Sequence, residues 1–333
     1  MMEEQIRARR LPPLFDGEVN AQNFDEWRKN IVDLYAHECF GVTPPAPREV
    51  RAVVAEQNDD DWAGKAEHRK VMLSFDMENG EFSFPVHLVI PKAGRPCPCV
   101  VYPSFTPYAT AGYQPIEEIV DQGFALAVFC YEDVTRDNED FTDGLAAMTY
   151  RGAADDWGKI GMWAFACSRV LDHLLTLPEI DGSRVAVLGH SRLGKTALWA
   201  AAQDLRFAAV HSNDSGCAGA AVCRGKVGES VQAIYSQFPF WFCENYNTAD
   251  RKSCCPLSSI SCWRAPRLGR CMLPAPRRTN GPIRNRNSCR RCWLRPHGSC
   301  SAMKAWARTK CLHPADASLP AAWATICAPA RTI

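Results

Sequence analysis

Over Arg184 to Ala202 the chain switches from strand period to helix period, with a serine at the corner. Arg184-Val-Ala-Val-Leu188 is a short β-branched and aliphatic run, as a strand buried on both faces requires. Thr196 to Ala202 is built from good helix formers. Between them, Gly189 and Gly194 bracket Ser191 in a G-x-S-x-x-G spacing, one residue longer than the familiar G-x-S-x-G. Glycines there let the turn tighten and let the helix pack close to the strand. The hydroxyl is then held at a helix N-terminus, where backbone N–H groups can stabilise an oxyanion.

The flanking sequence supplies the rest of a doubly wound α/β pattern. Phe24 to Cys39 reads as an amphipathic helix, followed by the Pro-rich connection Thr43 to Arg48. Val71 to Phe75 and Phe82 to Ile90 read as an antiparallel strand pair. Val100 to Tyr102 and Phe124 to Phe129 read as core strands around a helix at 115–122. A long helix is expected over Asp155 to Leu177, with Trp163, Val170, Leu174 and Leu177 as its apolar stripe. Ala208 to His211 is the next strand, ending in Ser212-Asn-Asp-Ser-Gly216. The fold expected is an α/β-hydrolase with a mainly parallel sheet and an aberrant C-terminal third.

Charge divides the chain sharply. Residues 1–250 hold 36 of the 37 acidic residues against 22 Lys and Arg, whereas residues 251–333 hold 16 Lys and Arg and one acid, Asp316. The same tail carries nine of the 17 cysteines. One reading is a basic zinc- or nucleic-acid-binding module, with Cys289-Arg-Arg-Cys292 followed by His297, Cys300, Cys311 and His313. Its second ligand pair has no regular spacing, and no apolar period supports a fold around a metal. The preferred reading is a tail translated out of frame from near Arg251. Cys271 to Cys289, Gly298 to Leu312 and Ala321 to Ile333 can each be written in codons whose shifted frame restores acids and periodic patterns. The domain expectation is a helical and Pro-rich segment over 1–50, an incomplete hydrolase core over 51–250, and a disordered tail over 251–333.

The N-terminus is acidic and no apolar leader follows, so a cytoplasmic protein with reduced thiols is expected. Cys97 and Cys99 lie one strand period apart and read as packing residues. No metal, cofactor, nucleic acid or membrane is expected as a partner, and the sequence leaves the oligomeric state open.

Ser191 is the candidate nucleophile, and it needs a base to be one. The N–H of Arg192 is the natural first oxyanion donor, and the Arg192 guanidinium opposes the helix dipole, which favours a functional role. Ser104 is a weaker candidate for the second donor. Lys195, four residues after Ser191, either faces the site or is a solvated helix lysine. Asp214, at the end of the following strand, fits a triad acid in the order Ser then Asp; an Asx turn or a helix cap fits it equally. His37, His68, His87 and His173 come too early in the order to be the base. His190 points away if the turn is tight, and His211 reads as core.

GHSRLGKTALWAAA, DDWGKIGMWAFACSRVLDHL, SNDSGCAGAA and FPFWFCENY together resemble the bacterial glucuronoyl esterases of carbohydrate esterase family 15, over roughly residues 20–250. The resemblance implies an α/β-hydrolase that cleaves esters of 4-O-methyl-glucuronic acid, a side group of xylan, through a serine triad. It implies Ser191 as nucleophile, Arg192 as oxyanion arginine, Asp214 at the acid position, and Lys195 and Glu229 as contacts to the uronate. The family's later acid loop and its catalytic histidine have no counterpart in the tail as written, and both appear in the shifted frame. The expectation is therefore an esterase that is inactive in this form. An acetyl xylan esterase-like hydrolase is the nearest alternative.

Overall fold

A computed structural model describes residues 22–108, 116–221 and 229–248, together with the backbone of Cys271–Met272. Eight strands form one sheet in the order β1-β2-β3-β5-β4-β6-β7-β8. They are β1 (Arg51–Asn58), β2 (Ala66–Met77), β3 (Gly80–Pro91), β4 (Cys97–Ser104), β5 (Ala125–Cys130), β6 (Ile180–His190), β7 (Ala209–Asn213) and β8 (Cys271–Met272). The first three run antiparallel to their neighbours, and β5, β4, β6, β7 and β8 are parallel.

The parallel strands are apolar throughout, as strands covered on both faces must be. Every residue of β5 is buried, and so are Val185 to Leu188 of β6. One face is covered by α1 (Phe24–Tyr35), α3 (Lys159–Leu174) and α4 (Arg192–Gln203); the other carries α2 (Ile116–Asp121). Helix α3 is buried nearly all round, Lys159 and Arg169 included, so the four-residue stripe expected for it is too narrow. The helix also starts later than expected. Val42 N–H donates to Asp155 O at 2.8 Å and Gly158 N–H donates to Phe40 O at 2.9 Å, which keeps the chain out of the helix until Lys159.

The N-terminal segment shares this core: Tyr35, Cys39 and Phe40 pack with Trp199 and Phe242. Helix α1 ends at Tyr35 and passes into a wider turn over Ala36–Phe40. Strand β1 was not foreseen. Cys97 and Cys99 are both fully buried, and burial pushes both thiols up, as packing residues require. Of the tail, the backbone of Cys271–Met272 pairs with Val210 and His211 of β7. The rest of the tail, with the candidate zinc ligands and the frame reading, lies outside the described residues. No described helix is long and apolar enough to cross a membrane.

Candidate active site

Ser191 stands between the end of β6 and the start of α4 with φ +54° and ψ −123°. That region is costly for a residue with a Cβ, on the order of 1–3 kcal/mol, and persists only where the surroundings enforce it. Here the enforcement is visible. Ser191 N–H donates to Asn213 O at 2.9 Å, and Ser191 O accepts from the N–H groups of Gly194 and Lys195 at 2.9 and 3.2 Å. A Cβ at Gly189 would lie 1.9 Å from Leu193 O, and one at Gly194 would lie 2.9 Å from Ser212 Oγ. The two glycines therefore admit the helix against the strand, as the spacing predicts. Ser191 itself is half-buried, with its hydroxyl at the first turn of α4, where N–H groups lack intrahelical acceptors.

Arg192 is held more firmly than its sequence position indicates. Its guanidinium ion-pairs with Asp137 and approaches Tyr131 Oη at 3.4 Å. Its guanidinium carbon lies 4.9 Å from the centre of the Trp241 ring and 5.6 Å from that of Phe105. Asp137 is the hub of this cluster. It accepts from Tyr131 Oη at 3.1 Å and from Trp241 Nε1 at 2.6 Å while facing Arg192. Burial pushes the Arg192 guanidinium down and the Tyr131 phenol up to about 12.

The loop that presents Asp137 is fixed in turn by Lys159, whose side chain is wholly buried. Lys159 Nζ donates to Thr135 Oγ1 at 2.7 Å, Asp140 O at 2.5 Å and Asp143 Oδ1 at 3.3 Å. Burial pulls its pKa down, and the nearby Asp143 carboxylate opposes that shift. Asp137, Tyr131, Phe105 and Lys159 were not foreseen as site residues, and Trp241 figured only within the resemblance. Their one signal is a lysine within a long apolar helical pattern, and its carboxylate partner, Asp143, lies sixteen residues earlier in the chain.

Lys195 is not a solvated helix lysine. It is 4% exposed, and its ammonium donates to Ser215 O at 2.6 Å and lies 5.7 Å from the Trp241 ring centre. Glu229 is exposed and accepts the Cys217 N–H at 3.0 Å. Both reach Gly216: a Cβ there would meet Glu229 Oε2 at 3.0 Å and Lys195 Nζ at 3.8 Å. The fold thus brings Ser191, Arg192, Lys195 and Glu229 to one end of the sheet.

Asp214 follows β7 at the same end, exposed and with φ +48°. His190 and Asn213 are register partners, and His190 Nδ1 lies 2.8 Å from Asn213 Nδ2. Burial lowers the His190 pKa, and the charge of Asp214 partly offsets this. Ser104 ends β4 with its hydroxyl accepting the Thr106 N–H at 3.3 Å; its neighbour Phe105 is the residue whose ring reaches Arg192. Among the described residues no histidine is hydrogen-bonded to Ser191. His37 pairs with Asp155 and His68 with His87, while His211 is buried in the sheet. His297 and His313 lie outside the described residues. No group of three or more His, Cys, Asp or Glu side chains among the described residues is arranged to hold a metal ion.

The profile of the family described as glucuronyl esterase, fungi, matches residues 73–254. Carbohydrate esterase MZ0003, from an unknown prokaryotic organism, is 42% identical over 147 residues, which are 43% of this chain and 34% of that protein. The 4-O-methyl-glucuronoyl methylesterase of Cerrena unicolor is 28% identical over 173 residues, 46% of this chain and 36% of that protein. The chain spans about a third of the length of these two relatives. Among solved structures, a glucuronoyl esterase from Solibacter usitatus superposes with a TM-score of 0.72 at 27% identity, covering 79% of this chain and 78% of that one. A promiscuous CE15 esterase from a marine bacterial metagenome superposes with a TM-score of 0.70 at 27% identity and the same coverage.

Proposed function

The chain belongs to the glucuronyl esterase family, and on that premise we propose that its Ser191 corner is built to take an ester of a glucuronic acid. Ser191 Oγ would attack the ester carbonyl, the alcohol would leave, and water would release the acid from the acyl-serine. The N–H and guanidinium of Arg192 would face the oxygen on which negative charge develops. Pinning by Asp137, Tyr131 and Trp241 supports this role, because a preorganised cation needs no rearrangement as charge builds. Lys195 and Glu229 would meet the sugar hydroxyls from the Gly216 side. The observation that carries the reading is the left-handed Ser191 beside a fenced arginine.

The attack also requires a group to receive the serine proton, and no described histidine is placed to do so. Turnover by this chain is therefore expected several orders of magnitude below that of a complete triad, while uronate binding persists. Assaying benzyl glucuronate hydrolysis and methyl glucuronate binding with wild type, Ser191→Ala and Lys195→Ala tests both halves. A rate typical of the family that Ser191→Ala abolishes would overturn the expected inactivity. Binding that is absent, or indifferent to Lys195→Ala, would overturn the uronate site.

A further inference from the structure

Away from the serine corner, one cluster of ionisable side chains has no part in the chemistry above. It lies on the sheet face that α2 covers, where Ala66 and Val89 are buried. Alternation along the strands puts His68 of β2 on the face of Ala66, and His87 of β3 on that of Val89. In the ladder His68 stands opposite Val89 and Lys70 opposite His87, so the two imidazoles are diagonal neighbours. His68 Nε2 lies 3.0 Å from His87 Nδ1, with ring centres 5.2 Å apart and planes 28° from parallel. Tyr108 stacks on His87 at 4.2 Å, and Trp62 meets His68 edge-on at 6.3 Å. Both imidazoles are half-buried, walled by these rings yet within reach of water.

A carboxylate stands behind the pair: Asp61 Oδ2 lies 3.1 Å from His68 Nδ1. It accepts the Nδ1 proton, which leaves His68 Nε2 with a bare lone pair on the side of His87. A carboxylate behind an imidazole is the arrangement that fixes tautomer and ring orientation in metal-binding histidines. Burial lowers the pKa of both rings, that of His87 to about 4, so both are neutral at pH 7, as ligation requires. The other charges that act on His87, Glu56 and Lys70, pair with each other at 2.7 Å. The local balance therefore rests on Asp61 and favours a cation.

Zinc takes imidazole nitrogens at about 2.0–2.1 Å, so two of them at the tetrahedral angle stand about 3.3 Å apart. The observed 3.0 Å has to open by only about 0.3 Å, with each ring turned so that its lone pair leaves the N···N line. His87 must also carry its proton on Nε2, a tautomer shift that releases no proton. We propose that His68 Nε2 and His87 Nδ1 are two ligands of a divalent cation of the Zn2+ class, with Asp61 behind His68 and water in the remaining positions. Two protein nitrogens make a reversible site, filled and emptied as the free ion rises and falls. It is joined to the serine corner through the chain: Tyr108, stacked on His87, closely follows Phe105, whose ring reaches Arg192.

Carbethoxylation of each histidine by diethyl pyrocarbonate, read by peptide mass spectrometry on the full chain at buffered free Zn2+, tests the site residue by residue. Zn2+ held by cysteines of the tail does not enter this readout. Zn2+ should protect His68 and His87 with one shared midpoint and leave His37, an exposed histidine paired with Asp155, unprotected. Asp61→Asn should raise that midpoint about 10- to 100-fold. His87→Gln should abolish the protection of His68, although His68 itself is unchanged; a cooperative thermal melt shows that each variant is folded. The wild-type arm needs no variant: if His68 and His87 stay unprotected at millimolar free Zn2+, the site is overturned. Protection that spreads equally to His37, or that a folded Asp61→Asn variant keeps at the wild-type midpoint, overturns it as well.

Discussion

The β6–α4 corner and strand β1 belong to one sheet but are specified in different ways. At the corner, bond lengths and van der Waals radii leave almost no choice: Gly189 meets Leu193 O, Gly194 meets Ser212, and Lys195 is buried on Ser215 O. Strand β1 is held by its ladder to β2 and by surface pairs such as Lys70 with Glu56. Every residue after Arg51 in it is exposed, and a bulge between Val54 and Glu56 breaks its register. An irregular, charged margin discourages another chain from pairing there. Steric contact writes itself into residue type; backbone pairing at an edge hardly does.

The sharpest test of this contrast is Gly189→Val. Its side chain would occupy the space of the Leu193 carbonyl, so a loss of more than about 4 kcal/mol or failure to fold is expected. A soluble variant with a near-normal urea midpoint would break the comparison.

A smaller effect is expected from His211, on the strand beside the corner. It is 5% exposed, neither ring nitrogen has a hydrogen-bond partner, and burial pushes its pKa down to about 4. The unfolded chain therefore binds a proton here between pH 6.5 and 4 that the folded one refuses. Stability from this group is complete above pH 6.5 and falls as the pH drops towards 4, by about 3 kcal/mol at most. His87, also pushed down to about 4 by burial, adds to the same slope. In urea melts between pH 7 and 4, His211→Phe should flatten the curve partly; an unchanged slope would show that folded His211 takes up its proton as readily as the unfolded chain does.

The smallest change belongs to the edge. Val53 is 65% exposed, and Val53→Thr should move stability by no more than about 0.5 kcal/mol. A large loss would show that β1 is as tightly specified as the corner.

What could be read from the sequence follows the same division. The strand–serine–helix corner, the β2–β3 pair and the central strands were legible because their period or their glycines are dictated by burial. Strand β1 was not: Arg51-Ala-Val-Val-Ala-Glu-Gln-Asn58 is bounded by Pro-rich and Asp-rich stretches, but it has no alternation of apolar and polar residues. Within the site, Ser191, Arg192 and Lys195 were visible because they share one short motif. Asp137 was not: it sits in an acidic loop, Thr135-Arg-Asp-Asn-Glu-Asp140, where one carboxylate looks like another. Only the fold singles it out, by placing Tyr131, Trp241 and Arg192 around it. Lys195 was legible in position but not in environment, since a lysine on a helix gives no sign of whether it meets water or a carbonyl.

The cage around Arg192 draws on four stretches of chain: Phe105, Tyr131 to Asp137, Arg192 itself and Trp241. As the polypeptide leaves the ribosome, the serine and its arginine emerge well before the indole that closes over them. The charged centre is therefore completed late in synthesis, and a nascent chain halted ahead of that tryptophan would carry the hydroxyl without its finished electrostatic surroundings.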